Sequence, residues 1–535
     1  MSIRRHFSSA LILGALLLVF LPQSLVGVAI FDEGFILSGA MLVLDGKVPY
    51  RDFLSMYGPG QFYTTAAIFS VFGESLIVAR VLHVFLLAVL GLTIFHLSKK
   101  LTKSPDLPWV LLLIYISAAL FLHPNVGYPA ITSTLLLLFS GVAVFYWVDS
   151  FNIAKLVFAS FLVGFSAIFR WDFGAFGLVA LVISSLAVFM SGAKANDWKD
   201  GLRVFVSASV PAFVIIVFIY IPLLVVLSDP TRWFNEVVVF SLREFSSWRG
   251  LEYFKPIYWN LMNDKASRFG EGVLMACLVG GPVVFAALTV CPTVFRLARN
   301  EVEQREKPAL IVGLYVALLC LLLLNQMRVR PTFVQGFPAL VASLPLMALV
   351  WERYRNEILE NVVLRRGGYS ISFFICAILF GGALQSVLDS KKSGLVALRT
   401  ERAAWIRVDS QASGYDDLIN YIKNKTKETD FIYSGVQDHS RLFVNDCILY
   451  FLTGRQPADR FLELEPGIAN TRKGQEEIIY SIINRNVKLV VLVDILSNEK
   501  NKTSISNGEY ILDDYIKANY RLDQSFGRYK VYLKK

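Results

Sequence analysis

The chain is poor in charge, histidine and cysteine. Asp, Glu, Lys and Arg make up 18% of its 535 residues and there are five His, against about 25% charged residues in an ordinary soluble domain. The five cysteines form no disulfide framework: Cys277, Cys291, Cys320 and Cys376 fall in or at apolar runs, and Cys447 stands alone in the C-terminal region, so no internal disulfide forms there. That region also has no glycine-rich phosphate loop, HExxH or Ser-His-Asp arrangement. No repeat of fixed period and no low-complexity segment occurs. No stripe of basic residues interleaved with aromatics is present, which excludes nucleic acid as a partner.

What the chain has in excess is apolar length. It is 55% hydrophobic with mean hydropathy +0.53, and windows of about 20 apolar residues, enough to cross a hydrocarbon layer of about 30 Å, recur before residue 390 and vanish after it. The run 8–28, behind Arg4 and Arg5, is long for a signal peptide and has no clean small-x-small cleavage site before Asp32, so it reads as a retained first helix. Further spans are expected at 75–97, 107–123, 129–148, 152–169, 173–190, 203–227, 272–291, 309–325, 331–350 and 368–388, eleven with the first. The pieces 34–44 and 61–73 are too short to cross. They are expected to lie in the membrane interface, the first with Gly34, Ser38 and Asp45 as a narrow polar stripe.

Charge fixes the orientation, because cytoplasmic loops are enriched in Lys and Arg. With the N-terminus cytoplasmic, the cytoplasmic loops hold seventeen Lys and Arg and the short outer loops five. Letting 61–73 span would reverse this bias. The cytoplasmic loops carry a net +7 and the region from Asp389 onward +3, which accounts for the formal +10. The first loop and the region after residue 388 are therefore expected on the outer face of the cell (inner) membrane.

Chemistry is expected in residues 31–60, FDEGFILSGAMLVLDGKVPYRDFLSMYGPG, which set Asp32, Glu33, Asp45 and Asp52 beside Lys47 and Arg51 at a low-dielectric wall. Partial desolvation raises a carboxylate pKa and nearby cations lower it, so such a group can be tuned as a proton acceptor. Asp32 equally suits a helix N-cap ahead of the apolar run. Arg80, about four residues inside the second span, is expected to snorkel to the outer interface, and His83 and His96 to be structural. The outer turns HPNVGYP (123–129) and FRWDFG (169–174) can line one cavity with the first loop, although Arg170 and Asp172 can simply pair. In the loop 228–270, Trp233, Trp248, Tyr253, Tyr258 and Trp259 read first as a headgroup belt and second as a substrate cover. Arg328 and Arg330, at a late outer helix junction, can receive a phosphate or lipid headgroups.

After residue 388, strand-length apolar runs at 431–436, 488–494 and 529–533 alternate with helical patterns at 415–424 and 475–485, which argues for a small α/β domain that supports or selects and does not catalyse.

A first helix, then DEG, an amphipathic helix, DGKVPYRDF, YGPG, a second surface helix and a span beginning SLIVAR resemble, in that order, the GT-C membrane glycosyltransferases of the protein mannosyltransferase and aminoarabinose-transferase type. The likeness covers residues 1–388, and LYFLTGRQPADRFLELEPG looks like the external domain of bacterial members. The resemblance implies a GT-C-like helical membrane domain (1–388) with an external α/β domain (389–535). It implies a sugar donor carried on polyprenyl phosphate, transfer on the outer face with inversion, and a lipid, glycan or protein acceptor. It makes Asp32 the base with Glu33 assisting, places Asp52 and Tyr57 in the segment shaping the pocket, and assigns the donor phosphate to Arg328 or Arg330, although no HYxxP-like motif stands there. Lys47, Arg51 and Arg170 complete the expected substrate-binding set. A divalent ion (Mg or Mn) fits Asp32 and Asp52 as hard oxygen donors, yet nothing in the spacing demands a cofactor. The alternative from another class is a flippase or transporter of a lipid-linked saccharide, which calls for paired broken helices and ionisable groups deep in several spans. A structural subunit with an inert loop is a third reading.

Overall fold

A computed structural model of the full chain describes every residue except 1, 123–126, 191–197, 252–265, 300, 390, 392–393, 410–413 and 498. Most of the turn 123–129, and Tyr253, Tyr258 and Trp259, therefore lie outside the described residues.

Among the described residues, seven helices are long and apolar enough to cross a membrane, and four shorter apolar segments, Ser8–Ser24, Leu107–Leu122, Ile153–Phe169 and Cys376–Gln385, lie where the other four spans are expected. In chain order the first nine helices are α1 (Ser2–Ser24), α2 (Asp32–Leu44), α3 (Gly60–Phe72), α4 (Leu76–Leu101), α5 (Leu107–Leu122), α6 (Pro129–Ser150), α7 (Ile153–Phe169), α8 (Trp171–Met190) and α9 (Trp198–Val225). A short helix (Pro230–Trp233), a π-helical stretch (Phe234–Glu244) and a further helix (Phe245–Arg249) follow. The remaining spans are Ala266–Ala298, Lys307–Leu323, Phe333–Glu360 and Val362–Asp389, with the single turn Asn325–Val329 between the second and third. Their ends follow local chemistry. Asn152 accepts a hydrogen bond from the Ala154 N–H (3.0 Å) to start α7, and Pro129 opens α6, where a missing N–H costs nothing.

The C-terminal region folds on a five-stranded mixed sheet. Its strands are Phe431–Val436, Gln456–Pro457, Leu489–Val493, Tyr520–Phe526 and Tyr529–Lys534. The first of these sits between the second and third, parallel to both, and the last pairs antiparallel with Leu489–Val493 and with Tyr520–Phe526. A separate antiparallel pair, β1 (Leu395–Ala397) and β2 (Arg407–Asp409), precedes the sheet.

Two apolar cores result. One joins the membrane helices, centred on residues such as Tyr115, Tyr315 and Phe337. The other joins α2 and α3 of the first loop to the C-terminal domain, through Phe35, Phe62, Ile448 and Phe451. With eleven spans the first loop and the C-terminal domain fall on one side of the membrane, and their shared core is the structural expression of that parity.

This corrects the expected setting of α2. A helix lying in the interface has one wet face, but Glu33 through Leu42 are all buried. The stripe Gly34, Ser38 and Asp45 is the seam with the C-terminal domain. The Ser38 hydroxyl donates to the Cys447 carbonyl (2.8 Å), Gln456 Nε2 donates to Asp45 (3.0 Å), and a Cβ on Gly34 would stand 2.4 Å from the Ile448 nitrogen. Helix α3 keeps an exposed apolar side, Val71 and Phe72 included, as an interfacial helix does.

Candidate active site

Asp32 is the first residue of α2. Phe31 holds the N-cap position, so Asp32 is not the cap. Its neighbour Glu33 takes the opposite course into the protein. Both Glu33 oxygens are gripped by Arg80, from Nε and from Nη2, each at 2.7 Å, and the Ala29 N–H donates at 3.2 Å. Arg80 also donates to the carbonyls of Ser24 (2.7 Å) and Gly27 (2.8 Å). The expected snorkelling of Arg80 is thus overturned: the group is 3% exposed, and a forked bond to a carboxylate 47 residues upstream in sequence satisfies it inside the protein.

After α2 the chain turns through residues 45–59. The Tyr50 hydroxyl and the Ser55 hydroxyl both donate to the Tyr57 carbonyl (2.7 and 3.1 Å), and the Leu54 N–H donates to the Arg460 carbonyl at 2.9 Å. Gly58 then lies against the end of α7: its N–H donates to the Phe169 carbonyl (3.1 Å), and a Cβ there would meet the Ile168 oxygen at 2.0 Å. That close approach requires glycine and carries Tyr57 to Arg170, which follows Phe169.

A cavity of about 200 Å³ opens at this point, lined by Tyr57, Tyr128, Arg170, Asp172, Arg328 and Arg330 among others. Arg170 is its electrostatic centre. It forks onto Asp172 from Nε (3.0 Å) and Nη2 (2.7 Å), donates from Nη1 to the Tyr128 hydroxyl (2.8 Å), and lies over the rings of Tyr57 and Tyr128 at 5.6 and 5.7 Å. Gln326 steadies Asp172 (2.9 Å), and the Tyr128 hydroxyl donates to Gln335 (3.1 Å). Burial alone would favour a neutral Arg170, but Asp172 and the two tyrosines hold its guanidinium more firmly charged than usual. Burial pushes the Tyr57 phenol up, with the Asp32 charge adding to the rise and Arg170 opposing it. Tyr128 is raised as well, by burial and by the Asp32 and Asp172 charges against Arg170. Asp32, half-buried, therefore acts on the cavity tyrosines without being a lining residue.

The two late arginines differ. Arg330 forks onto Glu499 (3.0 and 2.5 Å) and donates to the Arg249 carbonyl (2.9 Å). Arg328 is exposed, bonds Asn325 (3.0 Å), and among the described residues has no carboxylate at ion-pair distance. Among the described residues, Arg328 is the cavity arginine with no carboxylate at ion-pair distance.

Lys47, Arg51 and Asp52 do not line this cavity. Asp52 accepts from the Val48 N–H (2.7 Å) and from Arg51 (2.7 and 3.1 Å). Against the effect of burial, those bonds and the charges of Arg51 and Lys47 keep its carboxyl below the usual range. The three shape the turn. Asp32 and Asp52 consequently present no shared donor set at the cavity, and among the described residues no group of three or more His, Cys, Asp or Glu is placed to hold a metal.

Sequence reasoning left out a second cluster supplied partly by the C-terminal domain. Arg249 is buried, with Glu463 at 3.0 Å and Glu465 at 3.6 Å. The charges of Asp32 and Glu499 also bear on it. Burial lifts the Glu463 carboxyl against the pull of Arg249, and the Glu465 carboxyl is pushed up to about 7 by burial and by Glu463. The visible signal was LELEPG, two acids on one side of an extended segment before a turn. The domain expected to support or select reaches the cavity's edge through Glu499, which holds the lining residue Arg330.

No protein-family model and no curated protein sequence matches the chain. A search of solved structures found the crystal structure of ArnT from Cupriavidus metallidurans in the apo state, 13% identical, with a TM-score of 0.54 over 99% of this chain and 98% of that one. The two share a fold. ArnT from the same organism bound to undecaprenyl phosphate matches with a TM-score of 0.47 at 13% identity, over 98% of this chain and 97% of that one. The ArnT fold spans both parts of the chain, and the expected architecture of a helical membrane domain followed by a small α/β domain is the one observed.

Proposed function

We propose that the chain is a GT-C-type membrane glycosyltransferase that moves a sugar from a polyprenyl-phosphate donor to an acceptor hydroxyl on the outer face of the cell membrane. The observation that carries this reading is the convergence of Tyr57, Arg170, Arg328 and Arg330 on one cavity whose tyrosines feel the charge of Asp32. The ArnT fold supports it, and the Lys and Arg bias of the loops supports the outer face.

The chemistry follows from the groups. The acceptor oxygen attacks the anomeric carbon as the bond from that carbon to the phosphate oxygen breaks on the opposite face, which inverts the centre. Asp32 takes the hydroxyl proton as attack develops. The electron pair of the broken bond leaves on the phosphate, where Arg328 meets the growing charge and Arg170, held in place by Asp172 and Tyr128, adds a fixed positive field. Glu33 is spent on Arg80 and secures the helix that presents Asp32.

The test uses full-length protein in nanodiscs with a polyprenyl-phosphate sugar donor and a cell-envelope lipid and glycan extract as acceptor. Asp32→Asn is expected to lower turnover by about 10²- to 10⁴-fold while still binding polyprenyl phosphate. Wild-type turnover by that variant refutes the role of Asp32. Movement of the donor across the membrane with no sugar transferred by the wild type refutes the transferase reading in favour of transport. Mass-spectrometric comparison of envelope glycans with and without the gene names the product.

A further inference from the structure

The seam between α2 and the C-terminal domain does not close at its far end. There a cleft of about 910 Å³ lies between Met41 and Asp45 at the end of α2, Glu74 in the link from α3 to α4, and residues 401–456 of the domain. That volume falls within the roughly 300–1,000 Å³ of pockets that take small ligands. The chain sets its level. Helix α3 keeps Val71 and Phe72 exposed at its end and α4 starts at Leu76, so Glu74 stands between an interfacial helix and a span, at the membrane surface.

The frame of the cleft is fixed. Arg402 pairs with Glu74 (2.8 Å), donates to the Phe451 carbonyl (2.7 Å) and lies over the Phe451 ring (5.1 Å). Arg455, 5% exposed, spends its donors on the Thr426 hydroxyl, the Thr426 carbonyl and the Thr453 carbonyl, each at 2.9 Å. Gln456 donates to Asp45 (3.0 Å).

Inside that frame stand opposite charges that do not touch. Lys423, Glu401 and Glu428 all line the cleft, and among the described residues their side chains form no hydrogen bond and no ion pair. Each acid nevertheless lies within the field of the lysine: burial and the Arg402 and Arg455 charges push the Lys423 ammonium below its usual range, and the Glu401 and Glu428 charges oppose them. An anion in the gap would meet Asp45, Glu401 and Glu428, and a cation would meet Lys423 and Arg455. Neither sign finds an uncompensated partner. A hydroxyl, by contrast, donates and accepts at once, so a row of hydroxyls accepts from Lys423 and donates to the two carboxylates while bringing no charge of its own.

We infer that this cleft is a carbohydrate site that takes a neutral oligosaccharide, read by Lys423, Glu401 and Glu428 within the fixed frame of Arg402 and Arg455. Its level suits glycans presented at the bilayer surface. The site shares no lining residue with the cavity of Tyr57 and Arg170, and the 13 residues of α2 set Asp45 roughly 20 Å from Asp32 at helical rise. Binding there does not depend on sugar transfer.

The experiment uses full-length protein in phosphatidylcholine nanodiscs and saturation-transfer difference NMR. The probes are the neutral and the acidic oligosaccharides released from the cell envelope, separated by anion exchange. The neutral fraction is expected to be saturated by wild type, by Asp32→Asn and by Arg441→Gln, an exposed cation elsewhere on the domain. The double variant Glu401→Ala/Lys423→Ala, whose lost side chains hold nothing else in place, is expected to bind it at least about tenfold more weakly, as removal of hydrogen bonds to charged groups does. No signal from the neutral fraction, signal from the acidic fraction alone, or equal binding by wild type and the double variant each overturns the assignment. Loss of binding in Asp32→Asn overturns it in favour of the catalytic cavity, and displacement by phosphatidylethanolamine added to the nanodisc overturns it in favour of a zwitterionic headgroup.

Discussion

The fork between Glu33 and Arg80 makes a prediction that separates structure from chemistry at adjacent acids. In Glu33→Gln a guanidinium 3% exposed loses its counter-charge while keeping its bonds to the Ser24 and Gly27 carbonyls. In Arg80→Met a carboxylate with 0% exposure keeps only the Ala29 N–H, and two carbonyls lose their donor. Breaking a buried pair from one side costs about 3–5 kcal/mol, so each single change is expected to destabilise by that amount. The double variant buries no charge. Its remaining cost is the stranded carbonyls, about 1–3 kcal/mol, which makes it more stable than either single. Unfolding of full-length protein in mixed micelles with increasing SDS measures the cycle, and sugar transfer is assayed in parallel. The double variant is expected to regain much of the activity lost in the singles. Additive losses of stability would refute the ion-pair argument, and restored stability with no restored transfer would give Glu33 a chemical role beyond holding α2.

The C-terminal domain has four carboxyls raised by desolvation, Asp446 to about 6, Asp459 and Glu465 to about 7, and Glu463. Between the ordinary carboxylate values and these, the folded state binds more protons than the unfolded state, so stability falls as pH rises from about 4 to about 7; a melting temperature that climbs over that interval refutes the assignment. Gly34→Ala drives a methyl into the Ile448 backbone and is expected to cost about 1–3 kcal/mol and to speed limited proteolysis at the domain seam. Gly14→Ala, with open space around it, serves as the control. Arg170→Lys removes the fork to Asp172 and the bond to Tyr128; with a charged hydrogen bond contributing about 1.5–3 kcal/mol, the donor KM is expected to rise at least about tenfold, and an unchanged KM removes Arg170 from donor binding.

The spans were legible because crossing a bilayer demands a run of apolar residues, and that demand is written locally. Three of the domain's strands were legible for a related reason, being short, apolar and bounded by turns. Tyr520–Phe526 was not: its interior residues are exposed, so no alternation marks it. At the site, Tyr57, Arg170, Arg328 and Arg330 stand at outer helix ends, where residue type and topology suffice to suggest a shared cavity. Lys47, Arg51 and Asp52 drew notice through charge density, but charges close in sequence satisfy one another first. The partners of Arg80 and Arg249 lie 47 and 214 positions away, and no pattern along the chain announces a pairing of that range. The stripe of Gly34, Ser38 and Asp45 was visible while its partner, folded from residues some four hundred positions later, was not.

That last separation has a temporal side. Helix α2 leaves the ribosome long before Cys447 and Ile448, which cover its polar stripe. At synthesis rates of 5–20 residues per second the delay is roughly 20–80 s. During it the face of the helix that carries Gly34 and Ser38 is uncovered, although its other side already packs on α3 through Phe35 and Phe62, so the packing of α2 is finished only when the end of the polypeptide arrives. A product truncated before residue 447 would leave that face of the helix open.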